Sequence, residues 1–359
     1  MAKFHTLEVE EVKRETPETV SVTFTVPEHL KSDFAFEHGQ NLTLKAIIGG
    51  EDIRRSYSIC TSPSESILKV AIKQQPFGKF STFANEVLKT GDTLDVMTPM
   101  GKFNTPLDPK NKKNYVAFAA GSGITPILSI IKTTLETESN SKFTLFYGNQ
   151  KIETIIFKEE IEALKNIYMG RFSVHYLLSQ EITDSPLFNG RINSEKCKTF
   201  FSVLLDPTTV DEFFICGPEE MIHSVKQALL DEQIDARQIH FELFTSPAGK
   251  LDFPKPIRTK KTFDSTKESQ IAITVDGLTY EFNLAYSGDN VLNAALEKGA
   301  DLPFACKGGV CATCRAKVVE GEVEMALNYA LVQDEIDAGY ILTCQAHPRT
   351  EKLVVDFDV

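Results

Sequence analysis

The chain lacks a long apolar run, a basic leader, a second CxxC pair and an internal repeat. Its longest apolar stretches, such as YVAFAA and PILSII, fall far short of the about 20 residues that a membrane-spanning helix needs. No membrane association is therefore expected. The opening MAKFHTLEVEEVKRE has no basic segment leading into an apolar one, so no export signal is read. Positive charge is also in deficit. The 38 Lys/Arg against 50 Asp/Glu leave a net −12, which argues against nucleic acid as a main partner. Cysteine is sparse, and its count of seven is odd, so the thiols cannot all pair. Without an export signal, a reduced cytoplasmic setting is expected. What remains, 42% hydrophobic and 25% charged over 359 residues, suits a soluble globular chain of two or three domains.

Four of the seven cysteines form a pattern. Cys306, Cys311 and Cys314 lie in CKGGVCATC and Cys344 follows in LTCQ, a spacing of C-x4-C-x2-C-x29-C. This is the plant-type spacing for a [2Fe–2S] cluster on four thiolates. Gly308 and Gly309 carry no Cβ, so the loop backbone can approach inorganic sulfide and aim N–H groups at it. Zinc is the rival occupant, but structural zinc sites usually join two CxxC halves, or CxxC with two histidines, and here CxxC occurs once. A one-electron carrier implies an electron source elsewhere in the chain.

The organisation supports that division. From Leu7 to about Pro99, short β-rich runs (SVTFTV, NLTLKAI, RRSYSI, LKVAIK, TLDVM) alternate with turn signals, broken by the helical stretch KFSTFANEVLK. That rhythm predicts an antiparallel barrel or sandwich over 1–107. From Asn114 the order becomes strand, glycine turn, helix (YVAFAAGSG, ITPILSIIKTTLE, FTLFYGN, IIFKEEIEALKN, FSVHYLLS, EFFICG, PEEMIHSVKQALLD), which predicts an α/β domain with a parallel sheet over 108–245. Residues 246–268 read as a linker, and 269–359 as a small α+β ferredoxin-like module with strands IAITV and TYEFNL around Asp276-Gly277. Residues 268–359 hold 15 Asp/Glu against 6 Lys/Arg, whereas 250–267 hold 6 Lys/Arg against 2 Asp/Glu. The acidic stretch is either a solvated surface or a face that steers docking to a basic partner patch.

Two strand ends and two turns carry candidate chemistry. In RSYS, Arg55 can pair with a phosphate, Tyr57 can stack on an aromatic cofactor and Ser58 can hydrogen-bond a ring nitrogen; on a strand such residues are also ordinary surface and core. GKFS, Gly78 to Ser81, opens a helix whose free N–H groups make an anion site, although Ser81 by itself is most simply an N-cap. AAGSGITP lets Gly121 and Gly123 approach a phosphate and offers the Thr125 hydroxyl, but it is not a full GxGxxG. CGPEEM, with Cys216 and Pro218, also sits between strand and helix, and Cys216 is equally a small buried residue.

Taken in order, RxYS, GxxS, a glycine turn and CGPxxM resemble the ferredoxin–NADP reductase superfamily. With the C-terminal cluster motif, the whole chain resembles the reductase components of multicomponent oxygenases. Through FHTLEV, RRSYSIC, AAGSGITP, FTLFYGN, LPFACKGGVCATC, GYILTCQAHP and VVDF it is similar to those reductase subunits that serve phenylacetyl-CoA epoxidases. The resemblance implies a β-barrel for FAD, an α/β domain for NADPH or NADH and a β-grasp [2Fe–2S] domain. It implies that Arg55, Tyr57 and Ser58 hold FAD, with Ser58 near the hydride-accepting nitrogen, and that Gly78, Phe80 and Ser81 cradle the pyrophosphate. Gly121, Gly123, Thr125, Cys216 and Pro218 would line the nicotinamide path, with Ser58 and Cys216 as catalytic residues. Relatives commonly place Arg after FYGN, where this chain has Gln150 and Lys151; Lys151, Ser179 and Arg191 are the candidates to meet a 2′-phosphate, and each is equally a surface residue. The implied acceptor is a di-iron oxygenase. An acceptor of another kind, or a zinc-binding or redox-sensing protein without enzymatic activity, is the alternative.

Overall fold

The computed structural model describes residues 3–244 and 267–359. The chain divides into two compact units, one of Phe4–Leu243 and one built on Phe244–Val359. The linker expected at 246–268 lies outside the described residues up to position 266, and its last residue, Glu268, opens a strand.

The first unit begins with six antiparallel strands, β1 (Phe4–Thr16), β2 (Thr19–Thr25), β3 (Asn41–Ile48), β4 (Glu51–Ser58), β5 (Leu68–Lys73) and β6 (Thr93–Met97). Their order is β4-β3-β6-β1-β2-β5. In β1 the buried Leu7 and Val9 are separated by exposed glutamates, the period-2 signature of a strand with one wet face. The sheet closes on itself through a bridge between Ile59, just past β4, and Val70 in β5. Leu7, Val9, Val22, Leu42, Leu44, Val70, Ile72 and Val96 fill the interior with no exposed surface. Helix α1 (Lys79–Glu86) packs Phe80 and Ala84 into the same core. It stops short of the KFSTFANEVLK stretch expected to be helical, its last cap being Val87.

The same unit continues with β7 (Asn114–Ala120), α2 (Ile124–Thr137), β8 (Lys142–Asn149), α3 (Lys158–Ile167), β9 (Phe172–Leu178), α4 (Ser194–Val203), β10 (Glu212–Cys216), α5 (Glu219–Asp231) and β11 (Ile239–Glu242). The five strands are parallel in the order β11-β10-β7-β8-β9. The order reverses between β7 and β10, and ligands of open α/β sheets bind outside the carboxyl ends of the strands at such a switch point. The expected β-rich and α/β regions are therefore both present. Strand β11, four residues long, was not anticipated. Phe146 in β8 anchors one face of this sheet, stacking on Phe118 at 5.0 Å, His175 at 5.0 Å and Phe200 at 4.7 Å between ring centroids.

The second unit holds β12 (Glu268–Val275), β13 (Leu278–Ala285), α6 (Val291–Glu297), β14 (Arg315–Glu320), β15 (Val323–Met325), α7 (Gln333–Asp337), β16 (Tyr340–Leu342), β17 (Ala346–Pro348) and β18 (Lys352–Asp356). The main sheet runs β13-β12-β18-β14-β16, with β12 and β18 parallel and the other pairs antiparallel. Asp276 and Gly277, at φ of 50° and 72°, make the two-residue turn between β12 and β13. Positive φ at both positions gives the turn a twist that matches the strands. Val291, Leu292 and Ala295 of α6 are buried against this sheet, as in a β-grasp module.

Replacing Phe146 with Ala removes the ring at the centre of the stack. A fully buried Phe→Ala substitution typically costs about 3–5 kcal/mol. Urea unfolding followed by circular dichroism should show a loss of that order in the first unit, with cluster absorbance retained.

Candidate functional site

Strand β4 ends on RSYS. Alternation puts Arg55 and Tyr57 on one face of the strand and Ser58 on the other. The Arg55 guanidinium is exposed and, among the described residues, donates to the Arg54 carbonyl at 2.7 Å. Its neighbour Arg54 is committed to Asp52 at 3.0 Å. Tyr57 packs at 5.7 Å on Phe80, the second residue of α1, so RSYS and GKFS meet. Burial raises the Tyr57 phenol well above its usual range, partly opposed by the Arg55 charge, and it stays neutral at physiological pH.

The GKFS segment is a tight entry to α1. Gly78 is the N-cap, and a Cβ there would lie 2.4 Å from Ser81 Oγ. Ser81 is thus not the cap but the third helical residue. Its hydroxyl accepts the Gln75 N–H at 3.1 Å and donates to the Gly78 carbonyl at 3.1 Å. The first-turn N–H groups of Lys79, Phe80 and Ser81 have no carbonyl inside the helix to donate to. These amides, the exposed Arg55 and the Tyr57 ring fit an aromatic cofactor carrying a phosphate. Phe80 contributes its backbone to that site, because its side chain is core.

At the carboxyl edge of the parallel sheet, β7 runs into a 3₁₀ turn, Gly121–Gly123, that feeds α2. Gly121 has φ +52° and open space where a Cβ would project. The Tyr147 hydroxyl donates to its carbonyl at 3.0 Å and fixes the turn. Gly123 is constrained differently, since a Cβ would fall 2.1 Å from the Cys216 carbonyl oxygen. The turns after β7 and β10 therefore touch backbone to backbone. Thr125 donates its hydroxyl to the Ser122 carbonyl at 3.0 Å, so that group serves its own turn. Pro218 caps α5. Cys216 is fully buried at the end of β10, and burial raises its thiol well above the usual range, with Glu242 adding to the rise.

Glu242 escaped the sequence reading. It ends β11, in register with Cys216 of β10, and its Oε2 accepts the Ser58 hydroxyl at 3.2 Å. The signal for it was the alternation in IHFELF, too short to stand out beside the Pro- and Lys-rich segment that follows. Ser58, Cys216 and Glu242 thus bring the barrel strand to the nucleotide edge. Beyond β8, the Ser179 N–H donates to the Asn149 carbonyl at 3.0 Å and the Gly190 N–H to the Leu178 carbonyl at 2.7 Å. This puts the backbones of Gln150, Ser179 and Arg191 next to one another at that edge. Lys151 reaches Glu153 at 3.5 Å, both side chains being exposed.

In the second unit the cysteine loop runs through positive φ at Lys307, Gly309 and Ala312. Thr343 ties it to the fourth cysteine, its N–H and hydroxyl donating to the Cys314 carbonyl at 3.1 and 3.0 Å. The Gly308 N–H points at Cys306 Sγ from 3.3 Å. A hydrogen bond from Cys311, helped by loop amides, brings the Cys306 thiol down to about 6. One from Cys314 lowers Cys344. The thiols thus close in two pairs, Cys306 with Cys311 and Cys314 with Cys344. Among the described residues no group of three or more His, Cys, Asp or Glu converges on one ion. Two thiol pairs suit the two irons of a [2Fe–2S] cluster, each taking two thiolates. Cys314 and Cys344 are buried, and Cys306 and Cys311 are partly exposed.

Residues 6–105 match the family described as an oxidoreductase FAD-binding domain, 118–227 an oxidoreductase NAD-binding domain and 273–349 a 2Fe-2S iron-sulfur cluster binding domain. The chain is 43% identical to a subunit of the 1,2-phenylacetyl-CoA epoxidase of Escherichia coli K12, over 100% of this chain and 99% of that protein. The chain belongs to the ferredoxin–NADP reductase family. It is a member with a C-terminal [2Fe–2S] domain. This reductase is also 32% identical to the ferredoxin reductase component of 3-ketosteroid-9-alpha-monooxygenase from Rhodococcus rhodochrous, over 98% of this chain and 96% of that one. Its fold matches phthalate dioxygenase reductase with a TM-score of 0.58 at 23% identity, over 99% of this chain and 98% of that one. FAD, a nicotinamide dinucleotide and a [2Fe–2S] cluster are its cofactors. No helix among the described residues is long and apolar enough to cross a membrane.

Replacing Cys311 with Ser in this reductase should remove the cluster and leave the flavin. A serine oxygen is a poorer iron ligand than a thiolate, and the cluster lies in a separate compact unit. The visible spectrum should keep its flavin bands and lose those of the cluster. Ferricyanide reduction should persist while cytochrome c reduction falls. Loss of flavin together with the cluster would contradict the modular arrangement.

Proposed function

We propose that this reductase draws electrons from NADPH and delivers them to the oxygenase component of a phenylacetyl-CoA epoxidase, a di-iron enzyme. The carrying observation is the Ser58–Glu242 hydrogen bond at 3.2 Å beside Cys216. It joins the end of the RSYS strand to the carboxyl edge where a nicotinamide dinucleotide binds. FAD held at this junction would supply two-electron chemistry with the dinucleotide and one-electron chemistry with the [2Fe–2S] cluster.

The residues orient and seal the site. Arg55 and the first-turn amides of α1, with Gly78, Phe80 and Ser81, take the FAD pyrophosphate. Tyr57 would stack on the flavin, and Ser58, whose proton goes to Glu242, would place its hydroxyl oxygen beside the hydride-accepting nitrogen. Gly121, Gly123 and Thr125 form the turn that carries the dinucleotide, and Cys216 with Pro218 walls the nicotinamide. Ser58 and Cys216 are the catalytic residues in this reading. Cys306, Cys311, Cys314 and Cys344 hold the cluster. The domain boundaries that suit these assignments are 1–107 for FAD, 108–245 for the nucleotide, 246–268 for the linker and 269–359 for the cluster.

The acceptor follows from the 43% identity to the epoxidase protein over the full length, against 32% for the ketosteroid component. All seven cysteines are free of disulfides, in keeping with a cytoplasmic setting. Cytochrome c reduction with each nucleotide, repeated with purified epoxidase oxygenase and phenylacetyl-CoA, tests the assignment. Substrate turnover coupled to NADPH oxidation is expected. Turnover with a ketosteroid or other oxygenase, and none here, would reassign the partner.

Replacing Arg55 with Ala should weaken FAD binding roughly ten- to hundredfold, the span of a charge-assisted hydrogen bond. The variant should purify paler and recover activity with added FAD. Full flavin occupancy after extensive dialysis would remove Arg55 from the site.

Nucleotide choice rests on Lys151, Ser179 and Arg191 at the β8–β9 edge. A 2′-phosphate needs cationic or hydroxyl partners there. Neutralising Lys151 and Arg191 together should raise KM for NADPH far more than for NADH. An equal rise for both, or a parental preference for NADH, would make them solvated surface.

A further inference from the structure

Helix α2 starts at the nucleotide turn and runs under the loop that leaves the flavin strand. In its sequence ITPILSIIKTTLET, Ser129, Lys132 and Glu136 fall at spacings of three and four. Such spacing lines one face of a helix. Each of the three bonds to the segment just after β4. Ser129 donates its hydroxyl to the Thr61 carbonyl at 2.6 Å, in a buried position. Glu136 accepts the Ser64 hydroxyl at 2.6 Å. Between them Lys132, 5% exposed, places its ammonium 2.7 Å from Glu65 Oε1 and in contact with Glu160 of α3. Burial by itself lowers the pKa of this ammonium, but Glu160 and Glu65 outweigh it and the net direction is upward, so the group stays charged.

A buried cation between two carboxylates is weak evidence for stability, because removing charges from water offsets most of the attraction. Its geometric effect is what concerns the site: Lys132 is buried while the Glu65 and Glu160 side chains keep 26% and 36% exposure, so the lysine links two surface-reaching carboxylates from different elements. Here one carboxylate belongs to the barrel side. Glu65 sits seven residues past Ser58, in a short turn where it also accepts the Ser62 N–H at 3.3 Å. The other carboxylate and the lysine belong to the nucleotide sheet's helices. The cluster therefore ties the two cofactor-carrying halves of this unit, Lys132 lying on the helix that leaves the glycine turn and Glu65 on the segment that leaves the RSYS strand.

We propose that Lys132, through Glu65, is a positioning residue that sets how closely the nicotinamide turn approaches the flavin strand, and so controls the rate of flavin reduction rather than the binding of either cofactor. The proposal rests on the placement of FAD and dinucleotide given above. Transfer between two bound groups is steeply sensitive to their separation, and a misplacement of about 1 Å from a distant change can cost roughly a hundredfold.

The test uses the flavin-loaded full chain with Glu65→Gln, Lys132→Met, Lys132→Arg and Glu160→Gln. In Glu65→Gln the amide oxygen can still accept the Ser62 N–H, so the turn keeps its cap, while the pair to Lys132 loses its charge and keeps only a neutral-acceptor hydrogen bond. Anaerobic stopped-flow reduction at saturating nucleotide gives the limiting rate, the long-wavelength nucleotide–flavin charge-transfer absorbance reports their contact, and titration gives Kd. Glu65→Gln and Lys132→Met should slow the limiting rate roughly tenfold or more and weaken the charge-transfer band. Nucleotide Kd and flavin occupancy should stay within about twofold of the parent. Lys132→Arg should restore both signals, and Glu160→Gln, whose partner lies on its own side, should change them least. If Lys132→Met fails to fold, Glu65→Gln carries the test alone. A lowered Tm with parental rate and absorbance would overturn the proposal, as would loss of cofactor affinity in place of rate. Arg55→Ala separates the two levels of inference. If it is flavin-poor while Glu65→Gln reacts at the parental rate, only the Lys132 proposal falls. If Arg55→Ala keeps its flavin, the cofactor placement itself falls.

Discussion

The close seat of Gly123 on the Cys216 carbonyl constrains everything around the nucleotide edge. A Cβ at position 123 would stand 2.1 Å from that oxygen, so the turns after β7 and β10 meet only because one has no side chain. Their contact narrows the switch point of the sheet into a floor made of backbone. The residues that act above it take their places from this floor. Cys216 is sealed beneath the turn, and Glu242, its register partner, points to Ser58. The barrel also meets the sheet through apolar contact, Cys60, Ala71 and Phe103 packing into the nucleotide-domain core and Phe103 lying edge-on to Phe214 at 5.7 Å.

The two compact units solve different problems. In the first, two sheets present a cofactor-sized junction whose polar groups are paired before any ligand arrives, as Thr125 and Ser81 are with their own turns. In the second, the candidate ligands are thiols on a loop with positive φ at Lys307 and Ala312, and the Gly308 N–H points at Cys306 Sγ. In the proposed reading the first unit positions organic cofactors by shape and dipoles, and the second positions metal by thiolates.

Much of this was legible in the sequence, for identifiable reasons. The cysteine spacing has few other uses, and the strand–glycine–helix rhythm marks a parallel sheet. The motif order RSYS, GKFS, AAGSGITP and CGPEEM joined these into one architecture. What escaped depends on tertiary contact. Strand β11 is four residues long, and it exists because β10 supplies a ladder for it. Glu242 is consequently unreadable from local pattern. Ser81 reads as a cap because serine favours that position, yet Gly78 takes it, leaving Ser81 to brace the turn from inside. Lys132 is one polar residue among several in its helix, and nothing local announces two carboxylates from elsewhere in the chain.

The sealed Cys216 has a chemical consequence apart from electron delivery. Reduced flavins meet dioxygen, and an enzyme that handles them lives near peroxide. Peroxide attacks thiolates, at a rate set by their population and accessibility. Cys216 is fully buried and kept protonated by that burial and by the neighbouring glutamate. The Cys216 thiol, buried beneath the contact of the two turns, is thus withheld from sulfenic acid formation.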